Sequence, residues 1–357
     1  MRLIDCLAAL LLALPALPTF AQESTTPVQR QKSRKPAPTK PLDRVDLSKR
    51  DDIKAFIAEM AQQHGFVESE LAYLFSRTRH YPAIVELITP PSNPRVRSWQ
   101  AYRARFIEPV RIEGGVALWK KYEKELARAE KEFGVPAEII VAIMGVETVF
   151  GRNTGNWRVI DALSTLAFDY PKRAEFFRSE LENYLLFVRE HDIDVFSVRG
   201  SYAGAIGIPQ FMPGSWRRYA VDYDGNGKIN LRESFADSIG SIGNFLKGHG
   251  WAAGAPIAFA AKPEGEAWKP LLAKDILPHT RIGDLPKYGI TSKTLDAQAL
   301  PPDTLFTLVD LVTPDQATEY WAGLQNFYVI TRYNRSSFYA MSVMQLAEEI
   351  RQTRTQR

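Results

Sequence analysis

Glu147 stands alone in the apolar run IIVAIMGVETVF, residues 139–150. A carboxylate among aliphatic side chains is costly to ionise, so a helix seldom buries one without a partner or a purpose. If this helix packs inside a cleft, desolvation raises the pKa of the carboxyl group. A shift of about two units corresponds to roughly 2.7 kcal/mol of differential solvation. An acid kept protonated near neutral pH can give its proton to a leaving oxygen. The competing reading is a structural carboxylate paired with a nearby cation such as Arg152.

A second stretch with chemical character is RGSYAGAIGIPQFMPGSW, residues 199–216. Its glycines and prolines prevent one regular element. Gly204, Gly207 and Gly214 suit tight turns or a close approach of backbone to ligand. Ser201, Tyr202, Gln210 and Phe211 are the neutral hydrogen-bonding and stacking groups that sugars require, since a sugar ring has hydroxyls at its edge and apolar faces above and below. A glycine-rich structural turn with core aromatics is the alternative.

The stretch DYDGNGKINLRE, residues 222–233, has the spacing of a calcium loop. Asp222, Asp224 and Asn226 fall at the first, third and fifth positions, and Gly227 takes the sharp turn at the sixth. Lys228 offers its backbone carbonyl at the seventh, Asn230 stands at the ninth, and Glu233 at the twelfth can bind with both oxygens. A plain Asp/Asn/Gly turn is the competing reading. One such loop without a pair implies a structural Ca2+ clamp rather than a switch. The last stretch, TRYNRSSFYAM at 331–341, joins the stacking surface of Tyr333 and Tyr339 to the amide of Asn334, although core packing explains such aromatics more often than a binding role does.

The elements that must hold these residues read as mainly α, in an α+β class. Helical periodicity fills 45–135, Pro136 suits the first turn of a helix running to Phe150, and Gly151 is placed to end it. Further helices are expected over KRAEFFRSELENYLLFVREH and RESFADSIGSIGNFLKGHGW within 136–251. The segment 252–325 changes character, with Pro-rich turns and the alternating DTLFTLVDLV, and reads as a small β-containing subdomain. Helical pattern returns over 326–357.

The rest of the chain bounds the chemistry. Residues 1–21 read as an export signal cleaved after Ala21, too short and Pro-broken to span a bilayer. The only cysteine, Cys6, lies inside that signal and ahead of its apolar core, which argues against a lipid-attached form. The mature chain then has no disulfide, cysteine nucleophile or cysteine metal ligand. His64, His80, His191, His249 and His279 are too scattered for a zinc centre. Residues 22–44 form a basic, Pro-rich tether whose six Lys/Arg stand against Glu23 and Asp43, so it carries the whole formal charge of +4. Such a tether has the charge for transient contact with anionic wall polymer or membrane, and a soluble spacer is the plainer reading. The body has no basic surplus, so nucleic acid is not an expected partner. No organic cofactor is implied, and the expected state is a monomer.

Taken together, GVETVFG, GSYAGAIGIPQFMP, the calcium loop and RYNRSSFYAM resemble, in order and spacing, the lytic transglycosylase B family of periplasmic enzymes that cut bacterial peptidoglycan. The likeness runs from about Val45 to Ile350. It implies a lysozyme-like catalytic core at 136–251, with the C-terminal helical segment packing back on a glycan groove. By position, Glu147 matches the family's single acid/base. Ser201 and Gln210 match groove-lining groups, Tyr102 a groove tyrosine from the N-terminal helices, and Phe245 an aromatic on the helix after the calcium loop. Tyr333, Asn334 and Tyr339 match groove residues, and Lys172 with Arg173 match a basic pair facing the acidic groups of the peptide stem. Members commonly read PSS where this chain has Pro213-Gly214-Ser215. The implied reaction breaks the MurNAc–GlcNAc β-1,4 bond without water and leaves 1,6-anhydro-MurNAc ends. A hydrolysing muramidase and a non-catalytic calcium-dependent glycan-binding envelope protein are the alternatives.

Overall fold

The computed structural model describes residues 45–89, 97–272, 275–293 and 300–357. The export signal, its cleavage after Ala21, Cys6 and the basic tether lie outside the described residues. Two compact units form, and their described residues lie within 45–81 and 82–357.

In the first unit, α1 (Asp51–His64) starts on two aspartates, which suit the positive end of a helix dipole, and stops at Gly65 with φ 66°. It packs on α2 (Glu68–Arg77), where Phe56 meets Phe75 edge to face at 6.0 Å.

The second unit opens with α3 (Pro82–Ile88), α4 (Trp99–Arg103), α5 (Pro109–Lys121) and α6 (Glu123–Phe133). The continuous helical pattern over 110–133 is therefore divided at Tyr122, the residue that ends α5 and precedes α6. At the centre lies α7 (Ala137–Thr148), buried at every residue except Glu138 and Glu147. A helix apolar on all sides must be enclosed on all sides. Four helices enclose it: α5, α6, α11 (Phe235–Gly248) and the C-terminal α14 (Ser337–Thr355). In chain order between α7 and α11 come α8 (Val159–Asp169) and α9 (Ala174–Glu190), which pack on each other, then α10 (Pro213–Tyr219), which packs on α9.

The end of α7 differs from the sequence expectation. The helix stops at Thr148, and Val149 (φ 52°), Phe150 (φ 58°) and Gly151 (φ 80°) all turn left-handed. This costs a β-branched residue about 1–2 kcal/mol, so the surroundings must enforce it. Phe150 folds its ring back onto Gly114 and Gly145, where a Cβ would lie 2.8 and 2.9 Å from the ring. Only glycine leaves room for that fold.

A two-stranded ladder joins β1 (Trp157–Arg158) to β2 (Arg199–Gly200) at the root of the glycine-rich loop. The segment between α11 and the C-terminal helices holds β3 (Ala258–Pro263), β4 (Thr280–Arg281), β5 (Ile290–Thr291), β6 (Leu305–Leu311) and β7 (Glu319–Gly323), with the short α12 (Lys269–Leu272). They form one antiparallel sheet in the order β4-β6-β7-β3-β5. Phe259, Leu271, Ile282, Phe306 and Leu308 build its core. Strand β6 is buried at five of its seven positions, Phe306–Val309 and Leu311, because α12 and α14 both pack on it. After the sheet, α13 (Gln325–Tyr333) and α14 lead the chain back to α5 and α7.

Candidate active site

Glu147 is one residue from the end of α7 and keeps partial exposure, while its carboxyl group is enclosed enough for burial to dominate its proton affinity. Burial pushes its pKa up from 4.5 to about 7, against a smaller opposing effect of a hydrogen bond from Tyr339. That bond runs from the Tyr339 hydroxyl to Glu147 Oε1 at 2.6 Å. Among the described residues it is the only hydrogen bond to the carboxylate, and no ion pair reaches it. Arg152 is not its partner.

Three tyrosines feel the charge of Glu147. Tyr102 is pushed to about 12, first by burial and then by that charge, and Tyr333 and Tyr339 are raised further for the same two reasons. They reach the site from two directions. Tyr339 comes from the first turn of α14, whose N-terminus Ser336 caps through Tyr339 N. Tyr333 comes from the end of α13 and stacks on Tyr339 at 6.4 Å and 12°. Tyr102 lies on α4, which is tied to the sheet by Trp99 N donating to Val312 O at 2.8 Å and Gln100 N to Thr313 Oγ1 at 3.1 Å.

The glycine-rich loop meets these tyrosines. Gly207, at φ 78°, lies so close to Leu231 that a Cβ would fall 2.3 Å from its carbonyl oxygen. The carbonyl of Pro209 accepts the Tyr333 hydroxyl at 2.6 Å, joining the loop to the tyrosines. Phe211 meets Phe245 at 5.5 Å and Tyr333 at 5.9 Å, and Phe245 meets Tyr333 edge to face at 4.8 Å. These contacts bring Glu147, Phe211, Phe245, Tyr333 and Tyr339 into one group, with Tyr102 near enough for the charge of Glu147 to act on it.

Other expected residues hold the loop itself. Ser201 Oγ accepts from Ala205 N at 3.0 Å, and Gln210 Nε2 donates to Gly207 O at 2.8 Å and Thr154 O at 3.1 Å. Asn334 is buried, with its Oδ1 lacking a hydrogen-bond partner. Lys172 is exposed, and Arg173 lays its guanidinium 4.3 Å from the Phe176 ring. Neither bears on Glu147, whose proton affinity burial and Tyr339 set. Gly214 lies inside α10 instead of a tight turn. Its N–H donates to the buried Glu180 at 2.8 Å, and a Cβ there would lie 3.1 Å from that carboxylate, which gives a reason for glycine at this point of the Pro213-Gly214-Ser215 segment.

At the calcium loop, Asp222 folds back to accept from Gly225, Asn226 and Gly227 N–H groups, and Asn226 Oδ1 accepts from Lys228 N. Asp222, Asp224 and Asp237 each offer a carboxylate oxygen within 4.8 Å of the others. This all-oxygen set fits a hard cation such as Ca2+. Glu233 lies outside that group and accepts from Asn230 Nδ2 at 3.3 Å. Sequence spacing did not single out Asp237. It is fully buried and accepts from the N–H groups of Tyr223 and Asn230, each at 2.8 Å. The signal available was Ser234 three residues before it, the spacing of a helix cap.

The model of the transglycosylase SLT domain matches residues 48–348. Membrane-bound lytic murein transglycosylase B of Escherichia coli (strain K12) is 40% identical over 322 residues, covering 87% of this chain and 86% of that protein. The crystal structure of catenated lytic transglycosylase SltB1 from Pseudomonas aeruginosa is 48% identical, with a TM-score of 0.80 over 87% of this chain and 100% of that one. The Escherichia coli lytic transglycosylase Slt35 in complex with calcium is 40% identical, with a TM-score of 0.77 over 87% and 96%.

Proposed function

Because this chain belongs to the transglycosylase SLT domain family, we propose that it is a peptidoglycan lytic transglycosylase with a lysozyme-like core, cutting the MurNAc–GlcNAc β-1,4 bond with Glu147 as its single acid/base. The observation that carries this reading is the enclosed Glu147 carboxyl, held by Tyr339 and, among the described residues, met by no second carboxylate. Ordinary glycosidases divide the work between two carboxylates. Here Asp161, the nearest downstream candidate, is 1% exposed and locked by Arg158 in two bonds of 2.6 and 2.7 Å. Asp169 ends α8.

One group suffices if the substrate supplies the nucleophile. Tyr339 occupies Oε1, so the acid proton resides on Oε2 and passes from there to the glycosidic oxygen. The C1–O bond breaks with its electron pair going to that oxygen, and the cation at C1 is eased by the substrate's 2-acetamido oxygen. Glu147, now ionised and stabilised by the Tyr339 hydroxyl, takes the proton of the muramoyl C6 hydroxyl. O6 then bonds to C1, closing a 1,6-anhydro ring without consuming water. The tethered nucleophile is worth roughly 7–11 kcal/mol over a bimolecular attack. The half-buried Tyr333 and Tyr102 are the aromatic groups left to meet a sugar. Phe211 and Phe245 are buried and back Tyr333 from within, and Ser201, Gln210 and Asn334, buried too, complete the proposed glycan-binding set. Lys172 and Arg173 serve the acidic groups of the peptide stem.

Asp222, Asp224 and Asp237 would hold calcium as a brace for the loop, with Asn226, Lys228 and Glu233 as further donors by spacing. When bound, the ion supplies fixed positive charge that neutralises the clustered carboxylates. The setting is the cell envelope. The Escherichia coli relative is named membrane-bound, whereas in this chain Cys6 precedes the apolar run and, among the described residues, no helix is long and apolar enough to cross a membrane. Our reading places the protein in the periplasm without a lipid anchor, acting as a monomer on glycan strands.

Mass spectrometry of digested sacculi tests the reading. Anhydro ends should form with the wild type and disappear with Glu147→Gln, whose amide has no proton to give. Ends carrying the oxygen of water would identify a hydrolysing muramidase, and sacculi bound but uncut would identify a glycan-binding protein.

A further inference from the structure

Thr148, the residue after Glu147, is 1% exposed and lies where three segments meet. Its hydroxyl donates to Ile208 O at 2.9 Å and accepts from Gly151 N at 2.9 Å, and its own carbonyl accepts from Asn153 N at 2.9 Å. The first bond reaches the glycine-rich loop. The other two close the left-handed turn Val149–Gly151, a conformation that non-glycine residues keep only when neighbours enforce it.

The reach of the first bond matters for the site. Ile208 precedes Pro209, whose carbonyl holds the Tyr333 hydroxyl, and Tyr333 stacks on Tyr339, the partner of Glu147. Covalent neighbours, hydrogen bonds and one ring stack thus form a closed circuit from Glu147 through Thr148, Ile208, Pro209, Tyr333 and Tyr339 back to Glu147. It fixes the backbone beside Glu147 at one end and its carboxyl Oε1 at the other. Neither the helix nor the loop has another described side-chain bond joining the residues next to Glu147 to the loop.

We propose that Thr148 is a positioning residue for the acid/base: its hydroxyl latches the end of α7 to the glycine-rich loop and so holds the Glu147 carboxyl in register with Tyr339 and the groove. This rests on the proposed transglycosylase activity for its kinetic consequence, and on geometry alone for its structural one. A loosened latch admits water to the carboxyl and relaxes its distance from Tyr339. A γ-methyl in place of the hydroxyl fills the same volume but makes neither bond, so packing and latching can be separated.

The test compares Thr148→Val with Thr148→Ser in the full chain. Thr148→Val should lower kcat on sacculi on the order of 10- to 100-fold, the scale of a small misplacement of a reacting group, with KM little changed. The titration midpoint of the Glu147 carboxyl, read by carbon NMR without substrate, should fall by about half a unit or more as water enters. Thr148→Ser, which keeps the hydroxyl and loses the methyl, should restore both readings. Should Thr148→Val fail to fold, Thr148→Cys, of similar size with a weaker donor, should show the same fall in midpoint and in kcat while Thr148→Ser does not. A folded Thr148→Val or Thr148→Cys enzyme with wild-type kcat and midpoint would overturn the latch, as would a Thr148→Ser enzyme as impaired as the valine form. A wild type that makes no anhydro ends would instead refute the activity and leave the carboxyl titration to decide the latch.

Discussion

Replacing Glu147 by glutamine should change the dependence of stability on pH, and the size of the change follows from the burial of the carboxyl group. Its pKa rises from 4.5 to about 7 on folding. A carboxyl with a raised native pKa binds its proton more tightly in the folded state. Its contribution to stability is therefore fully present below the unfolded pKa and is lost as pH rises through the folded one. Each unit is 1.36 kcal/mol, so the whole shift is worth about 3 kcal/mol. Most of it, about 2.5 kcal/mol, should be lost between roughly pH 5 and pH 8. Glutamine is neutral throughout and escapes that loss. Urea unfolding of both proteins at the two pH values cancels every other titrating group. The glutamine variant should gain about 2.5 kcal/mol relative to wild type on going from the acid to the alkaline condition. Parallel stability curves would mean that Glu147 ionises as easily in the fold as in water. The proton-donor argument would then fail at its first step.

Tyr339→Phe should move the alkaline limb of the pH–rate profile upward. The hydroxyl stabilises the ionised carboxylate, so removing it raises the Glu147 pKa. A charge-assisted bond of about 1.5–3 kcal/mol, partly retained by the neutral acid, sets a shift of about one unit. The same variant should lose kcat because the carboxylate left after proton donation is less stable, and a limb that stays in place would refute the role given to this bond. Calcium should raise the thermal unfolding midpoint and chelator lower it, since a ligand bound only by the native state stabilises it by mass action. A melting curve indifferent to both would reduce the loop to a turn. Asp237→Asn should weaken the calcium response, because Asp237 shares the carboxylate group with Asp222 and Asp224.

The loop spacing around Asp222, the exceptional carboxylate in an apolar run and the clustering of glycines in 199–216 were legible because each is a local pattern. Helical periodicity likewise marked the enclosed α7, since a helix must be apolar wherever it is covered. The β-containing stretch was visible in the alternation of DTLFTLVDLV, although the burial of β6 on both faces was not, because that depends on α12 and α14, which lie apart from it in sequence.

Position along the chain could not say which side chains touch. Tyr339 is 192 residues from Glu147, yet it holds the carboxylate. Tyr333 meets Pro209 across 124 residues. Asp237 joins Asp222 and Asp224 in the carboxylate group because the start of α11 packs on the loop, and Gly214 proved to be a close approach to Glu180 instead of a turn. The left-handed end of α7 followed from Phe150 folding onto two glycines, one of them on another helix. Residue types set which chemistry is available, since acidity, polarity and ring faces belong to single side chains. Solvent exclusion and contact belong to the packed assembly, so only the tertiary structure could show the burial that raises the proton affinity of this carboxyl.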